Sequence, residues 1–140
     1  MICGEPGDAC SPRAAQGLLR SGEAVADLAR LVRDYPVAAM LANCSVPESM
    51  AAALQALKGL GKPFGAYANG FTHISGNFLK DAPTVKELTH RHDLTPEKYG
   101  DFAMAWVEMG ATIIGGCCEV GPAHIRHLAE RIKAAGHTIV

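Results

Sequence analysis

The sequence has no strongly basic stretch, no apolar run long enough to span a membrane and no Cys-x-x-Cys pair, and each absence removes a class of function. Formal charge is −1 with a pI near 6.6, so the electrostatic footprint of a nucleic-acid binder is missing. A membrane-spanning helix needs about 20 consecutive apolar residues, and none is present. The opening "MICGEPGDACSPR" carries acids and prolines where a secretion signal would carry basic and apolar residues. The expectation is a soluble, cytoplasmic protein that engages neither nucleic acid nor membrane. Thioredoxin-like redox chemistry ranks last, because its usual cysteine spacing is absent.

What is present is an alternation of apolar runs and amphipathic segments along 140 residues, about one domain. "SGEAVADLARLVRDY" reads as a helix with Val25, Leu28, Leu31 and Val32 inward, and no strong strand precedes it. "VAAMLAN" (37–43) and "PFGAYAN" (63–69) read as strands, and "ATIIGG" (111–116) as a third. Between the first two, "PESMAAALQALKGLGK" predicts a helix with Pro47 in its first turn, Met50, Leu54 and Leu57 on one face, and Gly59 and Gly61 as its stop. "TPEKYGDFAMAWVEMG" predicts another, N-capped by Thr95, with Phe102, Trp106 and Met109 on one side. "GPAHIRHLAERIKAAG" predicts the last, with Ile125, Leu128, Ala129 and Ile132 inward and Gly136 as cap. Strands alternating with helices predict βαβ units and a parallel sheet, hence the α/β class. Three strands leave two open edges, which proteins usually cover, so the pattern suggests part of a larger assembly.

Five cysteines stand in this chain, at positions 3, 10, 44, 117 and 118. In a reducing compartment metal binding or thiol chemistry is the better prior than disulfides. Cys44, Cys117 and Cys118 each follow the carboxyl end of a predicted parallel strand, the end at which βα barrels build their active sites. Gly115 and Gly116 are expected to turn the chain out of its strand so that both adjacent thiols face one point. Three thiolates with a fourth position open match a catalytic zinc site, whereas a structural site would be closed by a fourth protein ligand. Buried free thiols and a vicinal disulfide are the competing readings. Cys3 and Cys10 are read as bystanders.

The blocks "LANCSVPESM", "GKPFGAYANGF" and "GATIIGGCCEVGPAHIRHL" resemble the C-terminal signature blocks of the homocysteine S-methyltransferase family, which includes betaine-, S-methylmethionine- and methylfolate-dependent enzymes. The resemblance runs over roughly residues 18–135. It rests on Asn43-Cys44, on Gly115-Gly116-Cys117-Cys118 and on Pro122-Ala123-His124-Ile125. It implies the C-terminal part of a TIM (β/α)8 barrel, about three parallel βα units plus a preceding helix, spanning 18–140, with residues 1–17 unassigned. It implies zinc (Zn2+) on Cys44, Cys117 and Cys118, and transfer of a methyl group from a small donor to the thiol of homocysteine, giving methionine. Asn69 is assigned to the substrate side, as an oxygen near the exchangeable position of the metal. Many relatives carry glycine where Glu119 stands. A full family barrel is about twice this length, so a second copy or a partner chain would complete it; the alternative is a truncated zinc-binding fragment without turnover.

Other residues receive structural readings. Asn43 would bond backbone groups at its strand end, Tyr67 would be core with a satisfied hydroxyl, and Trp106 and Phe102 would be core. His73, His90 and His92 would face solvent, and His124 would belong to the helix start with its ring against the loop.

Overall fold

The computed structural model describes residues 17–19, 21–72 and 88–140. Cys3, Cys10, His73 and most of the 1–17 segment lie outside the described residues. Three strands, β1 (Met40–Asn43), β2 (Phe64–Ala68) and β3 (Ile113–Gly116), form one parallel sheet in the order β1-β2-β3. Met40 pairs with Phe64 and Asn43 with Tyr67; Gly65 pairs with Ile113 and Ala68 with Gly116. The α/β class and the three parallel strands are as the sequence predicts.

The strands start later than their apolar runs. Before β1, the Val37 N–H closes a tight turn on the Tyr35 carbonyl. Proline has no N–H to give a ladder, so β2 begins only after Pro63, whose carbonyl takes the Met40 N–H at 2.9 Å. Ahead of β3, the Ala111 N–H still bonds Trp106 in the preceding helix, and Gly110 turns the chain at φ 101°.

The first helical segment is shorter than its pattern. A 3₁₀ turn (Val25–Leu28) leads into α1 (Ala29–Asp34), which buries none of its own residues. Val25 is buried and Leu28 packs on the core, but Leu31 is 49 % exposed. The expected inward face is therefore only half used, because the described sheet ends at β1 and offers Leu31 nothing to pack against. Tyr35, just past α1, and Leu41, in the outer strand β1, are exposed as well. By strand alternation Leu41 points away from Ala42, which is buried.

The other helices follow the sequence closely. In α2 (Pro47–Lys58), Met50, Ala53, Leu54 and Leu57 are all buried, and Gly59 caps the end before Gly61 turns at φ 67°. In α3 (Pro96–Glu108), the Thr95 side chain accepts from the Lys98 N–H, and Tyr99, Ala103 and Trp106 are buried. Phe102 is only partly buried against this core. In α4 (Pro122–Ala134), Leu128 is buried and Ile132 packs on the core, with Gly136 past the end at φ 86°. Ile125, expected inward, is 41 % exposed. Helix α4 packs chiefly on α3 rather than on the sheet, so its first turn overhangs the strand end.

α2 lies across β1 and β2, and α3 packs on β2 and α2. Ala42, Ala66 and Ala68 supply small side chains beneath them, which lets helices and sheet approach closely. Among the described residues no helix is long and apolar enough to cross a membrane.

Gly115 and Gly116 do not turn the chain. Both remain within β3 and neither has a positive φ. Their contribution is the missing Cβ. At Gly115 it would sit 2.4 Å from Cε1 of Tyr67, and at Gly116 2.3 Å from Val120 Cγ1. The Tyr67 ring therefore lies across Gly115, half-buried rather than in the core. Gly115→Ala is expected to destabilise the protein by about 1–3 kcal/mol through overpacking, read from denaturant unfolding. Adding Tyr67→Ala should make the alanine at 115 nearly neutral, and equal costs in both backgrounds would refute the ring contact.

Candidate metal centre

The three cysteines expected to share a site do converge. Cys44 follows β1, and its N–H bonds the Tyr67 carbonyl at 2.8 Å; Cys117 follows β3, and its N–H bonds the Ala68 carbonyl at 2.9 Å. Both loops thus hang from consecutive carbonyls of the central strand. The three Sγ atoms all lie within 4.8 Å of one another, with Cys117 and Cys118 at 3.8 Å. All three are free thiols.

The turning of the backbone falls to two non-glycine residues. Cys44 has φ 55° and Glu119 φ 65°, in the left-handed region that L side chains rarely occupy. At Cys44 this conformation breaks the strand just where the thiol must swing toward β3. At Glu119 it reverses the chain after the cysteine pair, and it gives a physical reason why glycine suits that position.

Asn69, fully buried, sits beside this corner. Its N–H bonds the Ser45 carbonyl at 3.0 Å and its Oδ1 accepts from the Phe71 N–H at 3.0 Å. Its Nδ2 reaches toward Cys44 Sγ at 3.9 Å. The side-chain amide is therefore held with its nitrogen toward Cys44 and its oxygen, expected near the metal, engaged by the Phe71 N–H instead. Asn43 is exposed at the end of β1.

Burial pushes the Cys44 thiol up to about 12, reinforced by the hydrogen bond and charge of Cys117 and by the charge of Cys118, and slightly offset by Asn69. The Cys118 thiol is raised too, by burial first and then by Cys117. Adjacent sulfurs in a partly dry corner cannot all be anionic without a compensating charge. A divalent cation supplies that charge and deprotonates coordinating thiols. Sulfurs held at ~2.3 Å around tetrahedral zinc stand about 3.8 Å apart, which the Cys117–Cys118 pair already meets. The donor set and spacing fit such an ion.

The surrounding loop contains residues that the sequence reading did not single out. The Arg91 guanidinium, 12 % exposed, bonds both Glu48 carboxylate oxygens at 2.7 and 2.8 Å, and grips Asp93 through Nε and Nη2. Arg91 and then Lys98 hold the Asp93 carboxyl well below the usual carboxylate range. No local spacing announces a pair separated by 43 positions. His90, expected in solvent, is instead half-buried. Its Nδ1 lies 3.0 Å from a Glu119 carboxylate oxygen, close enough for a charge contact but outside hydrogen-bond alignment, and is sealed from solvent. His92 is exposed as expected and meets the His90 ring edge-on. His124 behaves as its position predicts: Nδ1 accepts from the Gly121 N–H and Nε2 lies 2.9 Å from the Leu94 carbonyl. The Tyr99 hydroxyl donates to the Gly115 carbonyl at 2.5 Å, which ties α3 to β3 just before the cysteine pair.

The sequence model of a family described as homocysteine S-methyltransferase matches residues 9–132. The homocysteine S-methyltransferase of Escherichia coli (strain K12) is 34% identical over 115 residues, covering 81% of this chain and 34% of that protein. Homocysteine S-methyltransferase 1 of Zea mays is 30% identical over 122 residues, covering 85% and 36%. A homocysteine S-methyltransferase of Bacillus subtilis (strain 168) is 30% identical over 113 residues, covering 79% and 33%. The chain spans about a third of the length of these relatives. With the matched region running from before the first described helix to the last turns of α4, this chain belongs to the homocysteine S-methyltransferase family.

Proposed function

We propose that the chain is the zinc-bearing C-terminal part of a (β/α)8-barrel methyltransferase, spanning residues 18–140, that acts on the thiol of homocysteine. The observation that carries this reading is three sulfurs from two separate strand ends lying within 4.8 Å of one another. Cys44, Cys117 and Cys118 would hold the ion and leave its fourth position to substrate. Zinc bound there would keep an incoming thiol deprotonated and nucleophilic at neutral pH. Asn69 borders that position on the Cys44 side and is proposed as a substrate-side residue. In the transfer, a new bond forms between the homocysteine sulfur and the methyl carbon as the donor's bond to that carbon breaks. The donor atom leaves with the electron pair, and the thiol proton passes to water.

In-line geometry for such a displacement must come from surrounding loops, and the described residues provide one rim. β1 is an outer strand of the described sheet and its Leu41 is exposed on the face opposite Ala42, an open apolar side suited to further βα units from a second copy or a partner chain. The same open edge favours a second reading, in which the chain binds zinc without turning over.

Three outcomes test this. Protein purified without chelator should carry about one zinc per chain, with three thiols unreactive until the metal is removed. Cys44→Ser should lose most of that metal, and metal-free wild-type protein would refute both readings. Isotope transfer from several methyl donors to homocysteine separates the two, since zinc without transfer leaves the non-catalytic one. Secondly, zinc affinity should rise with pH between 6 and 8, by up to about tenfold per unit for each thiol that must give up a proton. Raised thiol values put the protonated form in excess at neutral pH, so acid favours the metal-free state; a flat profile in chelator competition would contradict thiolate ligation. Thirdly, Leu41→Glu should shift the mass in solution toward single chains without changing the circular dichroism. A wild-type chain that is monomeric and transfers methyl groups alone would overturn the edge argument.

A further inference from the structure

We propose that Arg91 is a positioning residue for the sulfur cluster, clamping the Cys44 side of the site to the Cys118 side; the inference rests on the zinc reading above. Two independent connections meet in this residue. Its side chain reaches α2, where both Glu48 oxygens accept from Nη1. Glu48 lies in the first turn of that helix, just past the Cys44 loop, and the loop's Ser45 carbonyl is held by Asn69. Its main chain reaches the other side: the Arg91 N–H bonds the Gly70 carbonyl, and the Gly70 N–H bonds the Cys118 carbonyl, each at 2.8 Å. A path of fixed contacts therefore runs from the helix behind Cys44, through Arg91 and the main chain of Gly70, to Cys118.

The guanidinium has little freedom to give. Nε and Nη2 are taken by the two Asp93 oxygens at 3.1 and 2.8 Å, and Asp93 is braced in turn by Lys98 at 2.9 Å. The fork is thus locked in plane while Nη1 grips Glu48. Such a bidentate, two-partner arrangement is specific to arginine, since a lysine ammonium is a single point charge. Groups hydrogen-bonded to a metal ligand typically change metal affinity by about 10- to 100-fold when replaced, and Arg91, which reaches Cys118 through Gly70, is expected at the low end of that range.

The alternative is that Arg91 only neutralises Glu48, and the two ideas diverge in a charge-balanced double variant. Arg91→Met should lower zinc affinity at least about tenfold in chelator competition and lower the melting midpoint. Glu48→Gln combined with Arg91→Met removes the unpaired carboxylate; it should recover the midpoint but not the affinity. Arg91→Lys should fall between. A metal-independent arm uses a Cys3→Ser/Cys10→Ser/Cys117→Ser background, in which only Cys44 and Cys118 remain to be bridged by dibromobimane. There Arg91→Met should slow bridging several-fold, and the double variant should stay slow. Parent-like affinity and bridging in Arg91→Met, or their full return in the double variant, overturns the proposal. Should the wild type bind no zinc, the metal reading falls while the bridging rate still decides the role of Arg91: slowed bridging supports it and unchanged bridging refutes it.

Discussion

Strand register is the constraint on which the rest of this molecule depends. Because Asn43, Tyr67 and Gly115 stand in one row across the sheet, the residues that follow β1 and β3 emerge at one rim, on either side of β2. The ladder does not stop at the strand ends, since the Cys44 and Cys117 amides go on to bond Tyr67 and Ala68. A slip of a single residue in either pairing would send every side chain of that strand to the opposite face and carry its cysteine away from its partners. Helix packing supports the register: alanines at 42, 66 and 68 face the buried side, and their small side chains let α2 and α3 lie close on β1 and β2.

Much of this was legible in the amino-acid order, and for identifiable reasons. Helices α2, α3 and α4 carry their own punctuation in Pro47, Pro96 and Pro122 and in the glycines that follow each of them, Gly59, Gly110 and Gly136, so their extents read out locally. The cysteine constellation was legible because parallel strands make strand end and active rim the same place. Legibility failed where the deciding contact was distant. Leu31 looks like a core residue by spacing, but spacing does not reveal whether a neighbouring strand exists to receive it. His90 looks solvated because its neighbours in sequence are polar, and the Glu119 that half-covers it comes from another loop. Arg91 and Glu48 belong to the same class.

The glycine pair before the cysteines illustrates a subtler failure. Glycine has two physical uses, unusual torsion angles and the absence of a side chain, and sequence does not say which is in play. Here the second applies: Gly115 makes room for the Tyr67 ring and Gly116 for Val120. The unusual torsions fall instead on Cys44 and Glu119. Backbone strain of this kind, of order 1–3 kcal/mol per residue, persists only when its surroundings over-determine it. The Asn69 and Tyr67 bonds around Cys44 and the Gly70 bond to Cys118 supply that support.

The left-handed turn at Cys44 also limits what chemistry this corner can be rebuilt to do. Among metal-ligating side chains, Asp and His enter that region of torsion space more readily than most, whereas β-branched residues are outliers there. A redesign that exchanges the sulfur for a harder donor, to recruit a different ion, thus meets little backbone resistance with aspartate or histidine. Threonine at the same place would have to unbend the corner before it could coordinate anything.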